Sequence, residues 1–343
     1  MTKNFDSKKI LRGGAFGIFV VVVVLLGVQL FFGDQIALFA NFHNGDAVEH
    51  ASADTLTIAY SLPLQSLEPT LFDPITRSRL VNIYEGLVRT NHNLKIEPAI
   101  AVSWGLVNPT TWEFKLRPHV KFHNGNEVKV TDVVAWLQRA RNFEGSQLKT
   151  LLNSVSDVKA VGDSTLRITT KTPDPLLLNK LAVTYIFPEN LANFDQPVGT
   201  GPYSFVAWNK GENGKPIVLK RFENYWSDKP HYAQVVLQNI GDRDARINAL
   251  KTGAVDLLAD VPPAAVKDLS SDKIILKTIP SLEVSFVMLN ANQGLFVDKN
   301  LREAFAYSLD GKVFVEIAGG YARAVKQFVS SGVFGFNPKL KGY

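Results

Sequence analysis

The chain has 343 residues, 46% of them hydrophobic and 20% charged, which excludes a disordered or collagen-like polymer and leaves enough material for two domains or one large discontinuous one. The net charge of +5 is not gathered into any block, so charge alone does not point to nucleic acid. Cysteine is absent, which excludes disulfides, thiolate zinc sites, cysteine nucleophiles and a lipid-modified N-terminal cysteine.

Residues 13–33 carry no charge and include the run from Phe16 to Leu26, with Val20 to Val24 at its centre. About 20 apolar residues in a helix cross a hydrocarbon core. Lys3, Lys8, Lys9 and Arg12 precede the run against one acid, Asp6, so 1–12 reads as a cytoplasmic tail and the rest as exported. The segment is either an uncleaved transmembrane anchor or a signal sequence. The small-x-small site Ala51-Ser52-Ala53 lies far beyond it, and Ala40 offers a poorer one. Residues 34–53 mix polar and small side chains without a period and read as a linker.

The body begins with an alternating strand at 55–60, followed by an irregular stretch punctuated by Pro63, Pro69 and Pro74. Leu80, Val81, Ile83, Tyr84 and Leu87 give a helical spacing over 77–87. Residues 112–117 alternate strictly, 120–122 alternate again, and His123-Asn124-Gly125-Asn126 supplies a turn. The spacing predicts a helix over 131–143 capped by Thr131. Strands follow at 155–161 and 165–170, then a short helix at 176–181. A hairpin is expected from 205–208 and 217–221 around Gly211-Glu212-Asn213-Gly214, then a strand at 235–240. A helix from Asp242 stops at Gly253, and 254–258 is a further strand. Strands at 274–279 and 285–290, a helix capped by Asp298 and another over 312–318 complete the series. The order is mixed α and β with many hairpins.

Chemistry is sparse. There is no G-x-G-x-x-G, P-loop, G-x-S-x-G or H-E-x-x-H motif. His119 and His123 lie in a strand-to-turn segment, where four residues span ~13 Å, too far for one metal. They read as structural, and no metal or cofactor is expected. Asp242 with Asp244 opens a helix, and Asp256 with Asp260 follows a strand; neither pair has a second catalytic group beside it. Trp112, Trp136, Trp208 and Trp226 lie in regular elements and read as core. Basic and aromatic residues do not interleave, so no nucleic-acid surface is expected.

Several segments, in order, resemble one family. They are Ser66-Leu67-Glu68-Pro69, Ile83-Tyr84-Glu85-Gly86-Leu87, Pro98 to Trp104, Thr111 to Pro118 running on to Gly125, Thr131-Asp132-Val133-Val134, Pro197 to Tyr203, Asn224-Tyr225-Trp226, Arg246 to Asp256, and Phe296 to Ala304. Together they resemble the bacterial extracellular solute-binding proteins of family 5, the oligopeptide-, dipeptide- and nickel-binding components of ABC importers. Glu68 stands where that family usually has Asp, and Lys129 where it often has Thr.

The resemblance implies an α/β fold of two lobes, periplasmic-binding-protein-like of type II, with mixed sheets and an inserted domain. Lobe I would comprise 54–88 and 196–276, the inserted domain 89–195, and 277–343 the start of lobe II. The ending at Gly335 to Tyr343 resembles the middle of a lobe, so the chain reads as C-terminally truncated, with the acid that holds a peptide's amine in relatives lying beyond it. The resemblance also implies ligand contact around Asp73, Pro74, Ile75 and Thr76, by β-strand addition to an extended peptide. Gly199, Thr200 and Gly201 would be the crossing from the inserted domain back to lobe I. The implied role is non-enzymatic capture of a short peptide by lobe closure, for a permease and ATPase encoded elsewhere. A nickel chelate, a sugar or another small solute is the alternative ligand. A membrane-tethered sensor or adhesin is the alternative role, and an exported hydrolase the remote one.

Overall fold

The computed structural model describes residues 54–71, 73–143, 145–191, 193–208, 216–269 and 273–340, together with the backbone of Val20–Leu25. The linker at 34–53 and the Gly211-to-Gly214 loop lie outside the described residues.

The alternating residues of Thr55–Tyr60 form a strand inside a five-stranded mixed sheet. The order across the sheet is Leu257–Leu258, Thr55–Tyr60, Gln234–Asn239, Ile217–Arg221, Tyr203–Trp208. The first three run parallel; Ile217–Arg221 is antiparallel to both its neighbours, so Tyr203–Trp208 points the same way as the first three. A strand from the start of the body therefore pairs with strands about 180 to 200 residues later. Between them, 101–170 builds a separate antiparallel sheet in the order Ala101–Asn108, Thr111–Leu116, Thr165–Thr170, Val155–Val161. The helix Val130–Asn142 covers this sheet with Val133, Trp136, Leu137 and Ala140 buried. One apolar cluster runs through both units, from Ile58 and Leu219 to Phe114 and Trp136. A smaller one joins Ile247, Leu250, Val255 and Leu258 to Val266 and Leu269.

Capping follows the sequence closely in the later helices. Asp242 accepts the Ala245 amide, Asp298 the Asn300 amide, and Gly253 ends its helix at φ 77°. The helix expected from Thr131 begins one residue earlier, at Val130. Its N-cap is Lys129, whose amide donates to the Asp132 carboxylate at 2.8 Å. The helix expected over 77–87 is Pro74–Leu80, capped by Asp73 with Pro74 in the first turn. Beyond it, residues 82–86 leave the helix because their backbone is taken by distant segments: Gly201 and Tyr203 donate to Ile83 and Asn82, and Ile186 donates to Glu85.

Further expectations are corrected, and one strand is added. Residues 120–122 make only an isolated bridge, Lys121 to Glu127. Residues 285–290 form no strand, since no neighbouring chain pairs with them among the described residues. The strand Ala101–Asn108 was not legible, because Ser103-Trp104-Gly105 breaks its alternation. Of the segment 13–33, Val20–Leu25 pairs in parallel with Ile274–Ile279 as a strand, not as part of a membrane helix. Five consecutive valines are apolar but also β-branched, so hydropathy alone does not decide between the two. Among the described residues, no helix is long and apolar enough to cross a membrane.

The segment 277–340 packs differently from the rest. Ser330 is its one buried residue, while Met288, Leu295, Ile317, Phe328 and Phe334 are each at least 73% exposed.

Candidate functional site

The three parallel strands end together at Tyr60, Asn239 and Leu258. In open α/β sheets the carboxyl ends of parallel strands form the ligand-binding edge. Polar side chains lock this edge. Asp260 accepts the Ser61 amide, Asn239 Nδ2 donates to the carbonyls of Tyr60 and Ser61, and buried Arg246 donates to Ile240 and Gly241. Asp256 accepts the Thr57 amide at 2.8 Å. Asp256 and Asp260 thus act as cross-strand ties.

Arg79 joins this edge to the helix Pro74–Leu80. Its guanidinium stacks 3.8 Å over the Tyr60 ring and donates to the carbonyls of Leu62 and Ile75. Burial pulls the Arg79 pKa down, opposed by the charges of Asp260 and Asp73. The predicted residues Asp73, Pro74, Ile75 and Thr76 therefore stand beside the strand ends, as a capped helix start rather than an extended segment. The Asp73 carboxylate binds the Thr76 amide at 2.7 Å, the Asp73 carbonyl binds the Arg77 amide, and Pro74 has no N–H. A ligand would thus meet side chains and carbonyls here, with little left for strand addition. Sequence reasoning missed Tyr60 and Arg79; an arginine inside a short helix carries no sign that its partner lies 19 residues upstream.

Gly199, Thr200 and Gly201 lie flat against residues 82–85. A Cβ on Gly201 would sit 2.7 Å from the Asn82 carbonyl oxygen, and one on Gly199 would overlap the Ile83 carbonyl. Gly199→Ala is thus expected to lower stability by about 1–3 kcal/mol through a forced backbone shift, read as a lower melting temperature. A shift smaller than that of an alanine substitution at open Gly105 would contradict this packing.

Two buried groups clamp the crossing. The Glu85 carboxylate accepts from Thr200 Oγ1 at 2.9 Å, Tyr225 OH at 2.9 Å and Trp226 Nε1 at 2.8 Å. Burial raises its pKa, and the Trp226, Thr200 and Tyr225 hydrogen bonds and the Arg89 charge oppose the shift. Arg117 lies over the outer Trp226 ring at 4.0 Å. His123 takes the other side: Gly199 N–H donates to Nδ1 at 3.3 Å, so the proton is on Nε2, which donates to the Gly201 carbonyl at 2.9 Å. Burial lowers the His123 pKa to about 4, the Gly201 hydrogen bond opposing. The motifs at 83–87, 123–125, 199–203 and 224–226 are thus brought to one joint between the sheets.

No group of metal-ligating side chains is assembled among the described residues. The mixed sheet with its chain-distant parallel strands, the separate antiparallel unit and the crossing between them define a type II periplasmic-binding-protein fold of the oligopeptide-binding class. Residues 95–343 match the bacterial extracellular solute-binding proteins, family 5 Middle, and the chain belongs to that family of binding proteins, which are not enzymes.

It is 30% identical over 286 residues to the glutathione-binding protein GsiB of Pectobacterium atrosepticum, which covers 79% of this chain and 55% of that protein. The chain thus spans about half the length of the curated relatives it matches. Among solved structures, it superposes with a TM-score of 0.73 on DppA from Helicobacter pylori in complex with the peptide STSA, at 23% identity over 84% of this chain and 63% of that one. NikA from Brucella suis in complex with Fe(III)-EDTA gives 0.74 at 24% identity over 84% and 61%. AgaA from A. tumefaciens R10 in complex with agropinic acid gives 0.59 at 30% identity over 63% and 46%.

Proposed function

We propose that this protein is the extracytoplasmic binding component of an ABC importer, which captures a short peptide by lobe closure and hands it to a permease and ATPase encoded elsewhere. The observation that carries the reading is the shared carboxyl edge of three parallel strands, braced by Arg79 and Asp260 and bordered by 73–76. In this proposal Asp73, Ile75 and Thr76 border the ligand, Pro74 sets the helix start, and Gly199-Thr200-Gly201 is a rigid structural crossing. Lobe I comprises 54–88 and 196–276, and 89–195 is the inserted domain. The match to bacterial extracellular solute-binding proteins supports export. The ligands named for relatives, glutathione and the peptide STSA, support a peptide. Closure requires contacts that favour the closed state; about 5.5 kcal/mol would take a 1:99 population to 99:1.

Native mass spectrometry of the protein isolated from its host envelope tests this. A co-purifying short peptide is the expected result. A bound nickel chelate or sugar would overturn the peptide assignment, and peptide hydrolysis by the purified protein would overturn the binding role.

A further inference from the structure

A cavity of about 270 Å³ is lined by residues 66–68, by 193–195, by Arg139 and by Trp208, none of them among the residues described at the strand edge. Ser66, Glu68, Asn193, Asp195, Trp208 and Arg139 line it. Arg139 projects from the helix Val130–Asn142, its guanidinium 5.4–5.5 Å from the ring centres of Phe143, Phe187 and Phe194. Among the described residues it has one hydrogen bond, a long one of 3.4 Å to the Leu191 carbonyl, and no ion pair. A guanidinium carries five donors, so most of this group's capacity is unused.

Two carboxylates share the cavity. Glu68 is partly engaged, its Oε1 accepting from Thr70. The exposed Asp195 carboxylate has no partner among the described residues. Arg139 also lines a second cavity, of about 380 Å³, with Trp136, Gln138 and Asn142. Trp136 is buried, and its indole Nε1 has no hydrogen-bond partner among the described residues. An arginine ringed by three aromatic side chains but short of acceptors lines one cavity with two acids, without an ion pair to either among the described residues, an arrangement that suits a molecule carrying both signs. The aromatic cage holds the guanidinium in place before binding, which lowers the cost of ordering it.

We propose that this cavity is a second binding site, for a small zwitterion of amino-acid or dipeptide size, with its carboxylate on Arg139 and its ammonium on Asp195 and Glu68. Guanidinium–carboxylate pairing in a fork would supply the directional contact. The site needs neither lobe closure nor a transporter, so it stands or falls apart from the proposed import role.

Titration of the full chain with glycylglycine, followed by calorimetry and tryptophan fluorescence, tests it. Saturable binding is expected, weakened about tenfold or more by Arg139→Met and by Asp195→Asn, a loss of about 1.4 kcal/mol or more each. N-acetyl-glycylglycine amide, which lacks both charges, is expected not to bind. Unchanged affinity in both variants would place the dipeptide elsewhere and overturn the site, as would equal binding of the neutral analogue or no binding up to about 10 mM. If Arg139→Met does not fold, Asp195→Asn decides the outcome, because that side chain is exposed and its substitution leaves the core intact.

Discussion

Replacing Glu85 with alanine is expected to destabilise the protein by about 3 kcal/mol or more, since three buried donors lose a shared acceptor at about 1–3 kcal/mol each. Glu85 is 7% exposed and accepts from Thr200, Tyr225 and Trp226, so its loss takes one acceptor from each of three donors in a place water does not reach. Thr200 belongs to the crossing and Tyr225 and Trp226 are adjacent, so without Glu85 the crossing 199–201 and the segment 224–226 both lose a tie to 83–87. Glu85→Gln keeps the volume and one acceptor oxygen but sets an amide N–H₂ against the remaining donors. It is expected to cost less, about 1–2 kcal/mol. Chemical denaturation of the two variants beside the wild type reads both values. A loss below about 1 kcal/mol for alanine would show that the three donors find other acceptors.

Acidification is expected to weaken the same joint through His123. Its pKa in the folded protein lies near 4, against 6.5 for an ordinary histidine. The unfolded chain therefore binds a proton that the folded chain resists, and stability falls as pH drops from above 6.5 toward 4. The full difference amounts to about 3 kcal/mol. The chemical cause is specific: a proton on Nδ1 would face the Gly199 N–H instead of accepting from it. Glu85 runs the other way. Burial raises its pKa above 4.5, so its neutral form favours folding and that contribution is lost as pH rises through the raised value. The two effects are separated by comparing wild type with His123→Gln, which does not titrate. The stability gap between them is expected to shrink by about 3 kcal/mol between pH 7.5 and pH 4. A gap that stays constant over that range would mean that His123 is open to solvent when folded.

The exposed apolar side chains of 277–340 bear on handling as well as on function. The helices Lys299–Ser308 and Gly311–Ile317 have no buried residue, although Leu301, Phe305, Phe314 and Ile317 are spaced like a core stripe. Apolar surface of this extent marks a face that packs against something. Dye binding by the chain is therefore expected to be strong at neutral pH, and to fall when that face is covered.

Much of the local structure was written in short-range chemistry. Asp242, Asp298 and Gly253 mark helix ends, because a capping carboxylate and a left-handed stop act within a turn of their own position. The alternation of Thr111–Leu116 and Thr165–Thr170 was enough for two strands, since burial of one sheet face imposes a period of two. The segments that show family membership were legible for the same reason, each being contiguous. Packing decided the rest. Leu80 to Leu87 keeps a helical spacing, yet the chain leaves the helix at Val81 because 199–203 and Ile186 claim its backbone groups. Val20–Leu25 could be strand or membrane helix by hydropathy, and pairing with Ile274–Ile279 selects the strand. Asp73 to Thr76 could be placed near a ligand by resemblance, but only the fold shows a capped helix there, with Arg79 fastening it to Tyr60. The clamp of Glu85 and His123 on 199–201 joins residues from 76 to 141 positions apart. No local rule reaches that far, because a buried carboxylate and a neutral imidazole are stabilised by whichever donors and acceptors the chain brings to them once it has folded.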